Sequence, residues 1–252
     1  MKYADRAYDR VGQTEPYFGV ITLNRFCRSN LDAAAMREFF ETGETHVALV
    51  LKTIRQRIAP NFKPRRALDF GCGVGRILIP LAREAREAVG VDVSDAMMAE
   101  AARNCRERNL SNVSFVKSDD RLSRLEGTFD LIHSSIVFQH IAPRRVEVLV
   151  RNLLAHLEPG GVGALHFTTW SPLHKRIGRW LKKALPPINI AVNLYRRRPW
   201  NLGLIEINCV SLDRVMTLLA EAGIRSFYAD FTHSCWGPND DRGAMIYFQR
   251  PR

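Results

Sequence analysis

The chain has 252 residues, and 46% of them are hydrophobic, which suits one α/β domain with a substantial core. Its formal net charge is +11, but eight Lys or Arg and no acid fall within residues 173–198 alone. The basicity is therefore local, which argues against a protein that coats polyanions with its whole surface.

Neither the cysteines nor the apolar runs indicate a secreted or membrane-spanning protein. The five cysteines are scattered and include no C-x-x-C pair, so we expect reduced thiols rather than a disulfide framework or a zinc site. No apolar run approaches the roughly 20 residues that span a bilayer. The N-terminal residues lack the apolar stretch of a secretory signal, so we expect a cytoplasmic protein.

The segment before residue 67 is predicted to be helical. Five apolar residues there share one helical face: Val47, Val50, Leu51, Ile54 and Ile58. From residue 67 onward, short β-branched runs alternate with helical patterns, which predicts a parallel sheet with crossover helices. The predicted strands cover residues 67–70, 88–93, 113–118, 129–136 and 162–168, followed by IRSFYADF and GAMIYFQR. The predicted helices cover about 75–86, 95–108, 143–157 and 211–222.

Local signals support several of these boundaries. Ser94 is placed to cap the helix that follows it, Pro143 suits a first helical turn, and EPGG is expected to end that helix. We therefore expect a doubly wound α/β domain over residues 65–252, with residues 1–64 as a helical N-terminal cap. Residues 170–206 are expected to form a basic, lid-like insertion after the fifth strand.

A glycine-rich loop follows the first predicted strand in LDFGCGVGR, with glycines at 71, 73 and 75. It lacks the Lys-Ser or Lys-Thr of a phosphate-binding P-loop. Its third glycine also comes one residue earlier than in a dinucleotide fingerprint. A dehydrogenase is disfavoured for that reason, and because the chain shows no second substrate domain. The loop alone is a weak signal.

Acidic residues at the ends of the next two strands strengthen the indication of a ligand site at the glycine-rich loop. Asp92 lies 21 residues after Gly71, where a carboxylate can accept hydrogen bonds from both hydroxyls of a ribose. Asp119 ends the third strand, where it can accept from an adenine amino group beside the backbone amide of Asp120.

Residues 67–168 together resemble the class I S-adenosylmethionine-dependent methyltransferases. The resemblance rests on LDFGCGVGR, VGVDVSDAMMAEA, FVKSDD, FDLIHSSIVFQHI and LEPGGVGALHF, in the order and spacing of that family. It implies a seven-stranded, mostly parallel sheet with an antiparallel last strand. It also implies an S-adenosylmethionine site across the carboxyl ends of the strands, with S-adenosylhomocysteine as product. No spacing of His, Cys and Asp in the sequence indicates a metal centre, so we expect no metal.

The resemblance further implies roles for individual residues. Asp69 and Gly71 would hold the methionine amino group, and Gly73 and Gly75 would allow close approach and the turn into the helix. Arg76 would meet the methionine carboxylate. Asp92 would take the ribose, and Asp119 and Asp120 the adenine.

The expected catalytic residues are His140 and Tyr17. In some small-molecule members of the family, a His at the position of His140 works with an N-terminal Tyr as a catalytic latch, and Tyr17 is the candidate partner. His140 can instead be a capping or packing residue. His133 is predicted to face away from the cofactor side of the fourth strand, and the core is the expected place of His166.

The insertion after the fifth strand carries a basic amphipathic helix. Leu173, Ile177, Trp180, Leu181 and Ala184 share one face, and lysines and arginines occupy the others. Such a helix can lie in a membrane interface or over an anionic substrate. Alternatively, it is a lid that buries its apolar face on the domain.

The sequence does not identify the acceptor of the methyl group. A small-molecule or glycan acceptor, anionic or lipid-linked, would suit the insertion, with peripheral contact to the inner face of the membrane through residues 173–198. The alternatives are nucleic-acid methylation, favoured by the charge, and a non-catalytic cofactor-binding scaffold. Against nucleic acid, no separate RNA-binding module is visible, and strand four lacks an N/D-P-P-Y/F motif that would hold a flipped base.

Overall fold

The computed structural model describes residues 3–196, 198–200, 203, 207–233 and 241–252. Seven strands in this part of the chain form one sheet with the order β3–β2–β1–β4–β5–β7–β6. They are β1 (Arg66–Phe70), β2 (Glu87–Asp92), β3 (Val113–Lys117), β4 (Phe129–Ser134), β5 (Leu157–Trp170), β6 (Phe227–His233) and β7 (Arg242–Gln249).

The direction of the strands agrees with the prediction. β1 to β5 run parallel, whereas β7 lies antiparallel between β5 and β6. The predicted doubly wound, seven-stranded sheet with a reversed last strand is confirmed. Its parallel part brings the ends of β1, β2, β3 and β4 to one edge, where ligands bind in folds of this kind.

Helices cover both faces of the sheet. They are α1 (Tyr3–Thr14), α2 (Pro16–Val20), α3 (Ala33–Arg57), α4 (Leu78–Glu84), α5 (Asp95–Glu107), α6 (Pro143–His156), α7 (Leu173–Ala184), α8 (Pro186–Tyr195) and α9 (Leu212–Glu221). Ser94 caps α5 as predicted, because its side chain accepts a hydrogen bond from the backbone amide of Met97 at 3.3 Å. Asp32 caps α3 in the same way.

Apolar helix faces build the core. Four of the residues predicted to share a face of α3 are buried against the sheet: Val47, Val50, Leu51 and Ile54. Helices α6 and α9 bury their apolar faces in the largest hydrophobic cluster of the core, together with Leu68, Val89 and Ile132 of the sheet. Burial at about 25 cal/mol per Å² of apolar surface holds the sheet between these layers.

Two predicted boundaries are wrong, each for a backbone reason. The helix expected from residue 75 begins at Leu78, because Gly71, Gly73 and Gly75 all have positive φ and extend the loop. The fifth strand, expected from residue 162, begins at Leu157, because the backbone of the EPGG segment pairs with the residue that follows β7. The amide of Gly160 donates to the carbonyl of Arg250 at 2.9 Å.

One glycine controls how deeply α3 is seated. A Cβ at Gly43 would lie 2.0 Å from the backbone carbonyl oxygen of Arg76, in the segment that follows the glycine loop. Only a residue without a side chain lets the helix pass this close.

Candidate functional site

A cavity of about 520 Å³ opens at the carboxyl ends of β1, β2 and β3, within the usual size range of small-molecule sites. Helix α1 and the residues after β4 complete its wall. Most of the residues predicted for the site line this first cavity: Asp69, Gly71, Gly73, Arg76, Asp92, Asp119, Asp120 and His140. Gly75 and Tyr17 are the two that do not.

The glycine loop forms the floor of the cavity. Gly71 and Gly73 have φ of 77° and 52°, and the amide of Gly73 donates to Asp92 Oδ2 at 2.9 Å. Gly75 lies outside the lining of the first cavity, and its part in binding the cofactor stays a prediction. A Cβ there would lie 3.4 Å from that of Ala101, so Gly75 serves the turn and the packing of α5.

Asp69 presents an unused oxygen in the wall of this cavity. The residue is 2% exposed, and its Oδ1 lies 3.0 Å from His133 Nδ1. Its Oδ2 is buried with no hydrogen-bond partner among the described residues. An unsatisfied carboxylate oxygen is costly to bury, and an ammonium group bound there would remove that cost. The site therefore fits the amino group of a methionine moiety.

Asp92 is held by two backbone amides. Its Oδ1 accepts from Ser94 and its Oδ2 from Gly73, both at 2.9 Å. Burial raises the pKa of this carboxyl, while the amide donors act in the opposite direction. Each oxygen keeps a further lone pair, so the carboxylate fits the two hydroxyls of a ribose.

Asp119 is exposed and caps a turn. Its Oδ1 accepts from the amides of Arg121 at 2.8 Å and Ser123 at 3.1 Å, and its Oδ2 from the Ser123 hydroxyl. These donors hold the pKa of the carboxyl below its usual value. The carboxylate thus lines the cavity in a fixed orientation, and its contact with adenine remains a prediction.

A clasp of charged residues ties α1 over the first cavity. Arg145 of α6 donates from Nε to Asp120 Oδ1 at 2.8 Å, and from Nη1 and Nη2 to Asp5 of α1 at 3.0 and 3.2 Å. The hydroxyl of Ser94 donates to Asp9 at 3.1 Å and makes a second attachment. The side chain of Asp120 therefore holds the cover of the cavity.

We expect Arg145→Ala to weaken binding of S-adenosylhomocysteine about tenfold by loosening α1, since each charge-assisted hydrogen bond contributes about 1.5–3 kcal/mol and α1 keeps its second attachment. Calorimetry checks this. The matched control is Arg151→Ala. Arg151 lies on α6, like Arg145, but its ion pair is with Glu221 of α9, so we expect this variant to leave the affinity unchanged. Equal affinity of both variants would show that the clasp does not close the site.

The predicted pairing of Tyr17 with His140 is not what the structure shows. Tyr17 is buried in the packing of the N-terminal helices, where its hydroxyl donates to Glu100 at 2.6 Å. Tyr8 of α1 takes the place beside His140, with ring centroids 5.1 Å apart. The Tyr8 hydroxyl is buried without a hydrogen-bond partner in the described part of the chain, and burial raises its pKa well above the ordinary value.

A second cavity of about 320 Å³ adjoins the first. The two share the walls formed by Gly19, Val20, Arg76, Ser135, Ile136 and His140. Four basic side chains from the insertion line the second cavity: Arg179, Lys182, Arg196 and Arg198. Asp230 and Asp241 are its acidic lining residues.

His133, predicted to face away from the cofactor side, lines neither cavity but contacts a residue that lines the first one. β1 and β4 are neighbours in register, with Asp69 opposite His133, so the fully buried imidazole reaches the Asp69 carboxylate. Its Nε2 lies 2.9 Å from Nε2 of His46 on α3. His166 lines the second cavity rather than being wholly enclosed by the core.

The apolar face of α7 points to solvent. Leu173, Ile177 and Trp180 are 67%, 48% and 66% exposed, and no residue of α7 is buried. The interpretation in which this face packs on the domain is therefore wrong. Residues 197, 201, 202 and 204–206 of the predicted insertion lie outside the described residues. None of the described helices is both long enough and apolar enough to cross a membrane.

No group of three or more His, Cys, Asp or Glu side chains among the described residues is arranged to hold a metal ion.

Residues 67–161 match the model of a family described as a methyltransferase domain. This segment is a methyltransferase domain. It contains the glycine loop and the three acids Asp69, Asp92 and Asp119.

Two solved structures share the fold of the whole chain. NodS, an N-methyltransferase of Bradyrhizobium japonicum solved with S-adenosylhomocysteine, is 16% identical, with a TM-score of 0.61 over 98% of this chain and 100% of its own. Magnesium protoporphyrin IX methyltransferase (ChlM) of Synechocystis, with S-adenosylmethionine bound, is also 16% identical, with a TM-score of 0.61 over 99% and 98%. The predicted class I fold of the methyltransferase domain is confirmed.

A curated relative is similar over a shorter stretch. The 23S rRNA (uracil(1939)-C(5))-methyltransferase RlmD of Aeromonas hydrophila is 46% identical over 57 residues, which is 23% of this chain. The match spans 13% of the length of that enzyme, so the similarity covers a small part of it.

Proposed function

We propose that the chain transfers a methyl group from S-adenosylmethionine to a small acidic acceptor. The observation that carries this proposal is the junction of the two cavities at Arg76, Ser135, Ile136 and His140. The first cavity has the residues that fit the cofactor, and the second is lined by cations. A methyl donor in one and an acceptor in the other would meet at the junction.

The protein's part in this reaction is mainly alignment. When bound, the cofactor supplies a methyl group already activated on a sulfonium, so catalysis requires positioning of the acceptor in line. Asp69 and Gly71 would hold the amino group, Arg76 the carboxylate and Asp92 the ribose. Asp119 and Asp120 would lie at the adenine. Helix α1, held by the Arg145 clasp, would exclude water from the first cavity.

The positive charge of the second cavity would favour an anionic acceptor. Burial lowers the pKa of Lys182, and so do the neighbouring cations Arg196, Arg198 and Arg179. Mutually repelling cations around one cavity are relieved by an anion, so a phosphate or carboxylate on the acceptor would be stabilised there. No Asp or Glu occurs between residues 159 and 205, so the acidic residues of this cavity, Asp230 and Asp241, come from outside the insertion.

Incubation with methyl-labelled S-adenosylmethionine and a fractionated bacterial extract tests the proposal. We expect label in small molecules that an anion exchanger retains, and a Lys182→Ala/Arg196→Ala double variant should reduce it at least tenfold. Label confined to neutral metabolites would contradict the acidic acceptor. Binding of the cofactor without label in any fraction would favour a scaffold.

RNA methylation is the second candidate, because of the similarity to RlmD over 57 residues. If the protein methylates RNA, the same experiment should place the label in macromolecular material, and treatment with nuclease should make that label soluble. The exposed basic insertion would then be an RNA contact.

We further propose that α7 brings the protein to an anionic membrane surface, from which a lipid-linked acceptor would reach the second cavity. The exposed apolar face is flanked by Lys175, Arg176 and Lys183, which complements acidic headgroups. This contact would place the protein at the inner face of the membrane.

Sedimentation with vesicles tests the membrane contact. We expect binding to vesicles with one-third phosphatidylglycerol at low salt, release at high salt, and at least tenfold weaker binding of Leu173→Asp. Leu49→Asp on α3 is the matched control, because Leu49 is also an exposed leucine on a helix. Equal sedimentation with neutral vesicles would contradict the proposal.

A further inference from the structure

Three buried or half-buried side chains connect the two cavities. Asp69 Oδ1 lies 3.0 Å from His133 Nδ1, and His133 Nε2 lies 2.9 Å from His46 Nε2. Asp69 lines the first cavity and His46 lines the second, with the fully buried His133 between them. They come from β1, β4 and α3, and none of the roles assigned above uses His46 or His133.

Hydrogen bonding determines the tautomers along this chain. A carboxylate can only accept, so His133 carries a proton on Nδ1 where it faces Asp69. A neutral His133 then has a lone pair on Nε2, and the Nε2 of His46 must supply the proton between the two rings. This leaves the lone pair of His46 on Nδ1, which has no hydrogen-bond partner among the described side chains and backbone.

The surroundings keep His46 in its neutral form. Burial, together with the neighbouring His133, Arg76 and His166, lowers the pKa of His46 well below its ordinary value. A neutral imidazole at the wall of the second cavity can accept a proton at neutral pH.

His140, the base expected from the sequence, has its corresponding nitrogen engaged. The side-chain amide nitrogen of Gln139 lies 3.1 Å from His140 Nε2. The orientation of that amide is set by the hydroxyl of Thr168, which donates to Gln139 Oε1 at 2.5 Å. The amide therefore donates to His140 and occupies its lone pair, whereas Nδ1 of His46 keeps its own.

We propose that His46 is the general base for the acceptor, with His133 and Asp69 as positioning residues behind it. This inference rests on the proposed methyl transfer. The O–H or N–H bond of the acceptor breaks, its electron pair forms the bond to the methyl carbon, and its proton binds Nδ1 of His46. The Nε2 proton of His46 then passes to His133, which becomes an imidazolium beside Asp69. After the product leaves, the proton returns along the same path to solvent in the second cavity.

The tautomers can be measured without an acceptor. In protein labelled with ¹⁵N-histidine, we expect two-bond proton–nitrogen spectra at neutral pH to show His133 protonated on Nδ1 and His46 on Nε2. The same spectra of Asp69→Asn should show the populations of both rings altered. A wild-type His46 protonated on Nδ1 would overturn the proposal.

The catalytic role is tested with His46→Gln. The glutamine amide can still donate to His133 but cannot take up a proton. We expect its rate of label transfer into the extract fraction to fall at least 100-fold, and its affinity for S-adenosylhomocysteine to stay within twofold. His156→Gln, at the end of α6, is the matched control and should transfer label at the wild-type rate.

Each outcome decides a separate point. Transfer by His46→Gln at the wild-type rate would overturn the role of His46 as base, as would an equal fall in His156→Gln. If wild-type protein labels no fraction, the proposed methyl transfer fails. The nitrogen spectra then still confirm or contradict the hydrogen-bonded chain.

Discussion

Replacing Asp92 by alanine should lower the affinity for S-adenosylhomocysteine at least 100-fold. The carboxylate accepts from the amides of Gly73 and Ser94, so it shapes the floor of the first cavity as well as offering oxygens to a ribose. Hydrogen bonds to a charged group contribute about 1.5–3 kcal/mol each, and two to the ribose would be lost together. Titration calorimetry of the wild type and the variant measures the change.

The control for this substitution is Asp213→Ala, an exposed acid in the first turn of α9. It should bind S-adenosylhomocysteine like the wild type. Thermal unfolding of both variants is needed as well, because the amides left without an acceptor destabilise Asp92→Ala by about 1–3 kcal/mol. A folded Asp92→Ala that binds within threefold of the wild type would refute the assignment of the cofactor site.

Replacing Gly43 by alanine should lower the free energy of unfolding by about 3 kcal/mol. The added Cβ would lie 2.0 Å from the carbonyl oxygen of Arg76, and the obstacle is backbone rather than the end of a flexible side chain. Either α3 or the glycine loop must move, which is overpacking of a dense interior. Urea unfolding measures this loss.

The chain supplies a matched control in Gly178, on the exposed helix α7. A Cβ there meets nothing within 4 Å, so the same substitution should stabilise the protein by about 0.5–1 kcal/mol through helix propensity. The two Gly→Ala changes are thus expected to have opposite signs. A loss of stability in Gly178→Ala as large as in Gly43→Ala would show that the close approach of α3 is not its cause.

The fold could be predicted from the sequence because its signals are local. Alternation of short apolar runs with helical patterns, a cap at Ser94 and a first-turn proline at Pro143 each depend on a few neighbouring residues. The start of the fifth strand was an exception. Whether the strand begins before or after the EPGG segment depends on pairing with Arg250, about ninety residues away, and no local pattern reports that.

The same distinction holds for the site. The glycine loop and Asp92 belong to one strand–helix–strand unit, formed by β1, α4 and β2, and could be placed from spacing. The tyrosine beside His140 could not, since Tyr8 and Tyr17 are both aromatic residues in short N-terminal helices and only the packing of α1 distinguishes them. The contact of His133 with Asp69 could not be predicted either, because strand alternation assigns a residue to a face and does not report which side chains meet across adjacent strands.

The close seating of α3 at Gly43 has a chemical consequence. His46 lies three residues further along the same helix, so the depth at which the helix backbone passes the loop also sets the separation of His46 and His133. Those nitrogens are 2.9 Å apart, and protein hydrogen bonds from N–H donors span only about 2.7–3.2 Å, so a small shift of the helix would break the contact. A residue with no side chain and no contact with either cavity would thereby determine whether a proton can cross between two rings.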